Sequence, residues 1–396
     1  MTLFKQIGAV TVMNLRSLPQ RFSTSLVIVI GIAGVVGVLV SVLAMSTGMI
    51  KTMKNSGRDD RAVVMRNGSA GETSSALARG AVRLIVDAPG VKRDAQGKPI
   101  ASAESLRLIN LHKKEDGAEV NVALRGVGPQ VLAVRPELRI FKGRMFQPAV
   151  NEVIVGKSAN AQFKGLELGE TIAAGGANWT VVGVFESGGN SHESEIITDV
   201  ETLQSAYQRV AYQSVTALLE SEAVFQKFKE SLTSNPALAV DVSREREYFE
   251  NRSESLSKVI SVVAYVVGGI MAVGAIFGAL NTMYSAVSER LREIATLRAI
   301  GFGAAAMVCS VLAEALLLAL IGAVIGTLAA WFFFNGHVVS TSAANSAGGQ
   351  LVFELSVSPG LVAIGIVWAC VIGLLGGLFP AVRAARLPVA TALRTV

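Results

Sequence analysis

The residues best placed to do chemistry lie in one short charged stretch between apolar runs: Ser288-Glu289-Arg290-Leu291-Arg292-Glu293-Ile294-Ala295-Thr296-Leu297-Arg298-Ala299-Ile300-Gly301. On a helix, Glu289 with Arg292 and Arg290 with Glu293 are i,i+3 neighbours. Leu291, Ile294, Ala295 and Leu297 supply an apolar side, and Gly301 is a helix stop. Such a segment recognises a surface and catalyses nothing. Two readings are open: a cap lying at a membrane interface, or a knob that docks into a partner. Glu314 is a lone carboxylate in an otherwise apolar run, where ionisable groups are costly. With no second acid or histidine in the runs it is a poor proton relay. It is better read as the partner of a loop arginine or of a backbone N–H.

Other chemistry fails on spacing. Gly156-Lys157-Ser158 resembles the end of a phosphate-binding loop, but the leading glycine of G-x-x-x-x-G-K-[ST] is replaced by Asn151. His112 and His192 stand near no Ser or Cys nucleophile motif. The three histidines and two cysteines, Cys309 and Cys370, form no metal-ligand spacing, so neither a catalytic set nor a metal site is expected. The cysteines lie in apolar runs and offer no disulfide framework.

The elements that must hold the charged stretch are legible in what is missing. The 396-residue chain is 51% apolar and only 17% charged, against about 25% charged in a soluble domain. Residues 22–50, 259–288, 315–353 and 355–382 carry no Asp, Glu, Lys or Arg. A helix needs about 20 apolar residues to cross the hydrocarbon. We therefore expect four transmembrane helices, near 24–46, 260–284, 304–334 and 360–381. The first is too long for a cleaved signal peptide and reads as a signal anchor. Lys5, Arg16 and Arg21, then Arg290, Arg292 and Arg298, then Arg383, Arg386 and Arg394 place both termini and the charged stretch in the cytoplasm. The segment between the first two spans holds 27 basic and 26 acidic residues. The basic pI of 9.4 is thus a topology signal, and nucleic acid is not an expected partner.

The expected organisation is a cytoplasmic amphipathic helix (1–21), helix 1 and stalk (22–50) and an extracytoplasmic α/β domain (51–257) with a β-rich insertion near 121–200. Helix 2 (258–287), the amphipathic stretch (288–301), helix 3 (302–335), an outer loop (336–358), helix 4 (359–382) and a cytoplasmic tail (383–396) follow. In the domain, Val63 to Met65, Ala101 to Leu111, Glu152 to Gly156 and Thr180 to Phe185 read as strands. Ala76 to Val86 and Ala223 to Leu232 read as helices, and Glu186 to Glu195 as a mobile loop. Gly274-x-x-x-Gly278 and Gly322-x-x-x-Gly326 put small residues on one helix face, as tight helix packing requires.

Several motifs resemble the FtsX-like permease family, the membrane subunits of MacB-type (type VII) ABC transporters. Asn14 to Pro19, the E-I-A-x-L-R-A-x-G core at Glu293–Gly301, and Gly376 to Ala381 with Arg386 and Ala392 to Arg394 match its membrane part. Gly143 to Phe146, Glu152 to Gly156, Gly165 to Gly169 and Val182 to Val184 are similar to its periplasmic core domain. The resemblance implies a non-catalytic permease in the bacterial inner membrane. It would bind no cofactor itself, and ATP and Mg2+ would belong to a cytoplasmic ABC ATPase subunit. Glu289, Arg290, Arg292, Glu293, Ile294, Leu297, Arg298 and Gly301 would form the coupling helix seated in that ATPase. A second permease copy and a periplasmic adaptor (a membrane fusion protein) are further implied partners. Hydrolysis would be transmitted along the helices to drive export or extraction. Control of a cell-wall hydrolase and extracytoplasmic ligand sensing are the alternatives. The short stretch before the first span implies that the ATPase comes in trans.

Overall fold

The structure, a computed structural model, describes residues 3–17, 22–340 and 350–386. Leu18, Pro19, Arg21, Leu393 and Arg394 of the motifs above lie outside the described residues. The chain opens with α1 (Leu3–Ser17), α2 (Phe22–Lys54), β1 (Arg61–Arg66), α3 (Arg79–Val86), β2 (Ala101–His112), β3 (Glu119–Val127) and α4 (Val131–Val134). It continues with β4 (Arg139–Gly143), β5 (Glu152–Gly156), α5 (Lys157–Gln162), β6 (Thr171–Ala174), β7 (Ala177–Glu186), β8 (Ile196–Asp199), α6 (Val200–Ala206), β9 (Ser214–Leu218), α7 (Phe225–Thr233) and β10 (Val240–Arg244). Then come α8 (Glu245–Glu289), α9 (Leu291–Ala299), α10 (Ala304–Phe334), β11 (Val338–Ser340), β12 (Val352–Glu354) and α11 (Pro359–Arg386). Two compact units result: a helical one (up to Thr47, Ser257–His337 and from Leu355) and an α/β one (Gly48–Leu256 with Val338–Glu354).

In the helical unit, α2, α8, α10 and α11 are long and apolar enough to cross a membrane, as the uncharged runs require. With no hydrophobic drive between helices in lipid, close packing must come from small residues. A Cβ on Gly326 would lie 2.4 Å from the Ala33 carbonyl oxygen, and one on Gly322 2.9 Å from that of Val29. This pair seats α10 on α2. Gly373 and Gly377 of α11 meet Ala319 and Ala315 of α10, and Gly376 meets Ala279 of α8, each at 2.7 Å. Gly274 and Gly278 are different: open space surrounds both. Their spacing matches that of Gly322 and Gly326, but among the described residues nothing packs against them. The same helix leaves Ile270 and Phe277 exposed.

The α/β unit is built on a split βαβ pattern. Strands β10-β1-β9-β2 are antiparallel neighbours, and α3 and α7 cover one face through Val82, Ile85, Phe225, Phe228 and Leu232. Between β2 and β9 the chain inserts a second, β-rich half. Strand β2 joins the halves by changing partner: Ala101–Glu104 pair with β9 and Ser105–His112 with β3. Beyond β3 come β8, β5, β7 and β4, with β6 also on β7. Trp179, Phe163, Leu166 and Leu124 fill that half's core. The β11–β12 hairpin from the loop between α10 and α11 joins this unit. Val352 N–H donates to Ser194 Oγ at 2.9 Å, and Gln350 N–H to the Asn121 carbonyl at 2.8 Å.

Two local expectations need correction. Helix α3 starts at Arg79 and not at Ala76, because Leu77 exchanges backbone hydrogen bonds with Tyr212. The Glu186–Glu195 stretch is not a loose loop. Ser191–Ser194 form a buried 3-10 turn, and Glu193 Oε1 accepts from the backbone N–H of Ser187 at 2.6 Å and of Gly189 at 2.8 Å.

Candidate coupling site and buried charge network

The charged stretch folds as a break and a short helix, not as one helix over 288–301. Glu289 ends α8, and Arg290, with φ −98° and ψ 9°, forms the turn before α9. The Arg290 side chain points inward: it is 4% exposed, and Nη1 donates to Glu314 Oε2 on α10 at 3.0 Å. Arg290 therefore belongs to the interior rather than to a docking face. Ile294 is buried and Leu297 half-buried, both in the helical core with Phe302. The end of α9 is a Schellman motif: Gly301 N–H bonds the Arg298 carbonyl and Phe302 N–H that of Leu297, both at 3.1 Å. Gly301 has φ +99°, a left-handed conformation that a Cβ disfavours. What α9 presents outward is Arg292, Glu293, Thr296, Ala299 and, beyond them, Ile300. Glu289 is also exposed and Arg298 half-exposed. Ile300, which the sequence reading did not count among the docking residues, is 70% exposed.

Neighbouring elements hold this region. The Gln6 side chain of α1 accepts from Gly303 N–H at 3.2 Å, ahead of α10, and Asn14 Nδ2 donates to Ser310 Oγ. Arg383 stacks over the Tyr284 ring, 5.4 Å from its centroid, and both it and Arg386 are exposed.

The α/β unit holds a second ionic assembly, which sequence reading missed. Arg125 on β3 bonds three carboxylates: Glu195 at 2.6 and 2.9 Å, Glu72 at 2.8 and 2.9 Å, and Glu104 at 2.8 Å. Arg135 reaches Glu104, Thr216 Oγ1 at 3.2 Å and Glu245 at 3.4 Å. Arg61 Nη1 lies 2.7 Å from Glu137, and its Nε lies 2.9 Å from Glu245. His192 Nδ1 is 3.1 Å from Glu195, and its ring meets Phe249 of α8 edge-on at 5.9 Å. Glu104 stands where β2 changes partner, and Glu245 is the first residue of α8. The assembly therefore ties both halves to the start of that helix. Gly57, just after α2, packs there too: a Cβ on it would lie 2.4 Å from Arg246 Cα.

Burial pushes the Glu72 carboxyl up, but the charge and hydrogen bonds of Arg125 outweigh it and hold Glu72 at about 2. Glu195 is lowered on the same balance, burial against Arg125 and His192. For Glu245 burial wins over Arg135 and Arg61, and its carboxyl is raised.

Gly156-Lys157-Ser158 sits beside this assembly in another role. A Cβ on Gly156 would lie 2.1 Å from the Glu193 carbonyl oxygen, and Ser158 Oγ donates to the Glu193 carboxylate at 3.3 Å. The glycine permits close packing of α5 on the 3-10 turn, and a carboxylate already takes the hydroxyl. Among the described residues no three His, Cys, Asp or Glu side chains form a group suited to a metal ion.

Comparison with known proteins agrees with this architecture. Residues 22–235 match the family model of the MacB-like periplasmic core domain, and residues 265–389 that of the FtsX-like permease C-terminal region. A macrolide export ATP-binding/permease protein MacB 1/2 of Paracoccus denitrificans is 26% identical over 402 residues, covering 95% of this chain and 56% of that protein. MacB of Bdellovibrio bacteriovorus is 26% identical over 404 residues, covering 93% and 58%. The chain thus spans somewhat over half the length of these relatives. Among solved structures, the periplasmic region of MacB from Actinobacillus actinomycetemcomitans is 13% identical, with a TM-score of 0.37, over 51% of this chain and 96% of that one. With the periplasmic-core-domain model matching 22–235, over half of the chain, and the permease model matching 265–389, the chain belongs to the FtsX/MacB-type family of ABC transporter permeases.

Proposed function

We propose that this chain is the membrane part of a transporter in which an ABC ATPase, lying outside these 396 residues, moves the α/β domain to export or extract a substrate. The termini and α9 face the cytoplasm, in keeping with the Lys and Arg bias, and the α/β domain is periplasmic. A second permease copy and a periplasmic adaptor complete the working unit. The observation that carries this proposal is α9. It is a nine-residue helix with a sharp stop, a seated inner side and an outward face of Arg292, Glu293, Thr296 and Ile300. Its shape suits docking into a cleft of the ATPase. Helix α8, 45 residues long, extends about 68 Å at 1.5 Å per residue, more than a bilayer requires, and suits it to carrying force.

The test is to purify the complex from native membranes and identify its subunits by mass. We expect an ABC ATPase. Glu293→Lys and Ile300→Asp should each weaken its association about tenfold or more while membrane insertion stays normal. A complex that hydrolyses no ATP, or unchanged association in both variants, would overturn the proposal.

A further inference from the structure

Helix α9 is too short to hold its own angle. Nine residues in isolation are a marginal helix, and its fully buried side chains are just Ile294 and Ala295. Docking by itself transmits nothing if the docked helix can rock. One contact that resists rocking is ionic: Arg290 Nη1 to Glu314 Oε2 at 3.0 Å, with side-chain exposures of 5% and 6%. The pair lines a mostly apolar pocket with walls from Val10, Met283, Val287, Ile294, Met307 and Val311, onto which Asn14 and Glu293 also open. Those walls come from α1, α8, α9 and α10. Removing one member of a buried ion pair is strongly destabilising. Arg290 is also the residue from which α9 starts, since its carbonyl accepts from Ile294 N–H at 2.9 Å. Fixing its side chain fixes the first turn.

We infer that the Arg290–Glu314 pair is a latch that makes α9 mechanically continuous with α10, so that displacement of the docked helix is delivered to the spans. Arg290 and Glu314 are positioning residues: neither touches the partner. The mechanical role rests on the proposed ATPase coupling, but the latch itself is measurable without any ATPase.

The experiment is hydrogen–deuterium exchange on the full chain in lipid nanodiscs, following peptides over 291–299 and over the interior of α10. In Arg290→Gln and in Glu314→Gln, exchange of the α9 amides should rise about tenfold or more, with α10 protection unchanged. Glu314→Asp, which keeps the charge but withdraws it by one methylene, should give an intermediate rise and serves if the neutral variants fail to fold. Wild-type protection of α9 in these variants would overturn the latch. In the purified complex, Glu314→Gln should keep ATPase association while lowering work done per ATP; loss of association instead would make Glu314 part of the docking surface and reject the positioning role. Failure of the ATPase reading shows separately, as a complex without ATPase around a chain whose α9 still depends on Glu314.

Discussion

Two buried ionic sites in this molecule are built on opposite plans. At Arg290 a guanidinium meets Glu314 in a mostly apolar pocket between helices. In the α/β domain, Arg125 alone bonds Glu72, Glu104 and Glu195, and Glu104 is shared with Arg135. In the network each carboxylate has several donors, so the cost of burying it is spread over many hydrogen bonds. The pair joins two helices and restrains one short one. The network restrains the two sheet halves and the first turn of α8. The difference implies that damage to the pair is local and mechanical, and damage to the network is global and thermodynamic.

The strongest way to break that contrast is Arg125→Ala. It removes the one group bonded to all three carboxylates, leaving Glu104 with Arg135, Glu195 with His192 and Glu72 with Ser214, and loss of one partner from a buried ionic cluster costs about 3–5 kcal/mol. We expect the α/β domain to lose its cooperative thermal transition or to melt far lower, followed by fluorescence of the buried Trp179. Glu314→Gln should leave that transition in place. An Arg125→Ala protein melting like wild type would erase the distinction.

Acid sharpens the comparison. Glu72 sits at about 2, below the ordinary glutamate value of 4.5, so its stabilisation is complete above pH 4.5 and is lost as pH falls toward 2. The shift corresponds to roughly 3 kcal/mol. Stability of the α/β domain, measured by urea unfolding, should therefore fall over that window. In Glu72→Gln it should start lower and lose the share of the slope that Glu72 carries. An unchanged slope in Glu72→Gln would show that Arg125 does not hold this carboxylate.

The smallest effect separates two identical glycine spacings. Gly326→Ala must push on the Ala33 backbone and should cost about 1–3 kcal/mol, read as a lower melting temperature in detergent. Gly278→Ala, in open space, should leave the folded chain unchanged. Equal effects would mean that this face of α8 is as tightly packed as α10.

Four spans and a large domain between the first two were legible because membrane crossing depends on composition alone: long runs without charge are conspicuous. Glu314 was legible as an arginine's partner because a lone carboxylate in such a run needs one, but not which arginine. The network left no trace. Arg61, Arg125, Arg135, Glu72, Glu104, Glu195 and Glu245 are scattered over residues 61–245 of ordinary charged sequence. They converge because β2 changes partner in mid-strand and returns the insertion to the start of α8. The outward and inward sides of 289–301 also escaped: reading one continuous helix turned Arg290 outward, and the break at that residue turns it in.

Sequence by itself determined which segments cross the lipid, because apolar length and the placement of Lys and Arg are properties of single stretches of chain. Tertiary structure alone decided which glycines pack, which arginine meets Glu314 and where three arginines gather their carboxylates. Those outcomes depend on distances between segments far apart in the chain, and no local pattern of residue types encodes such distances.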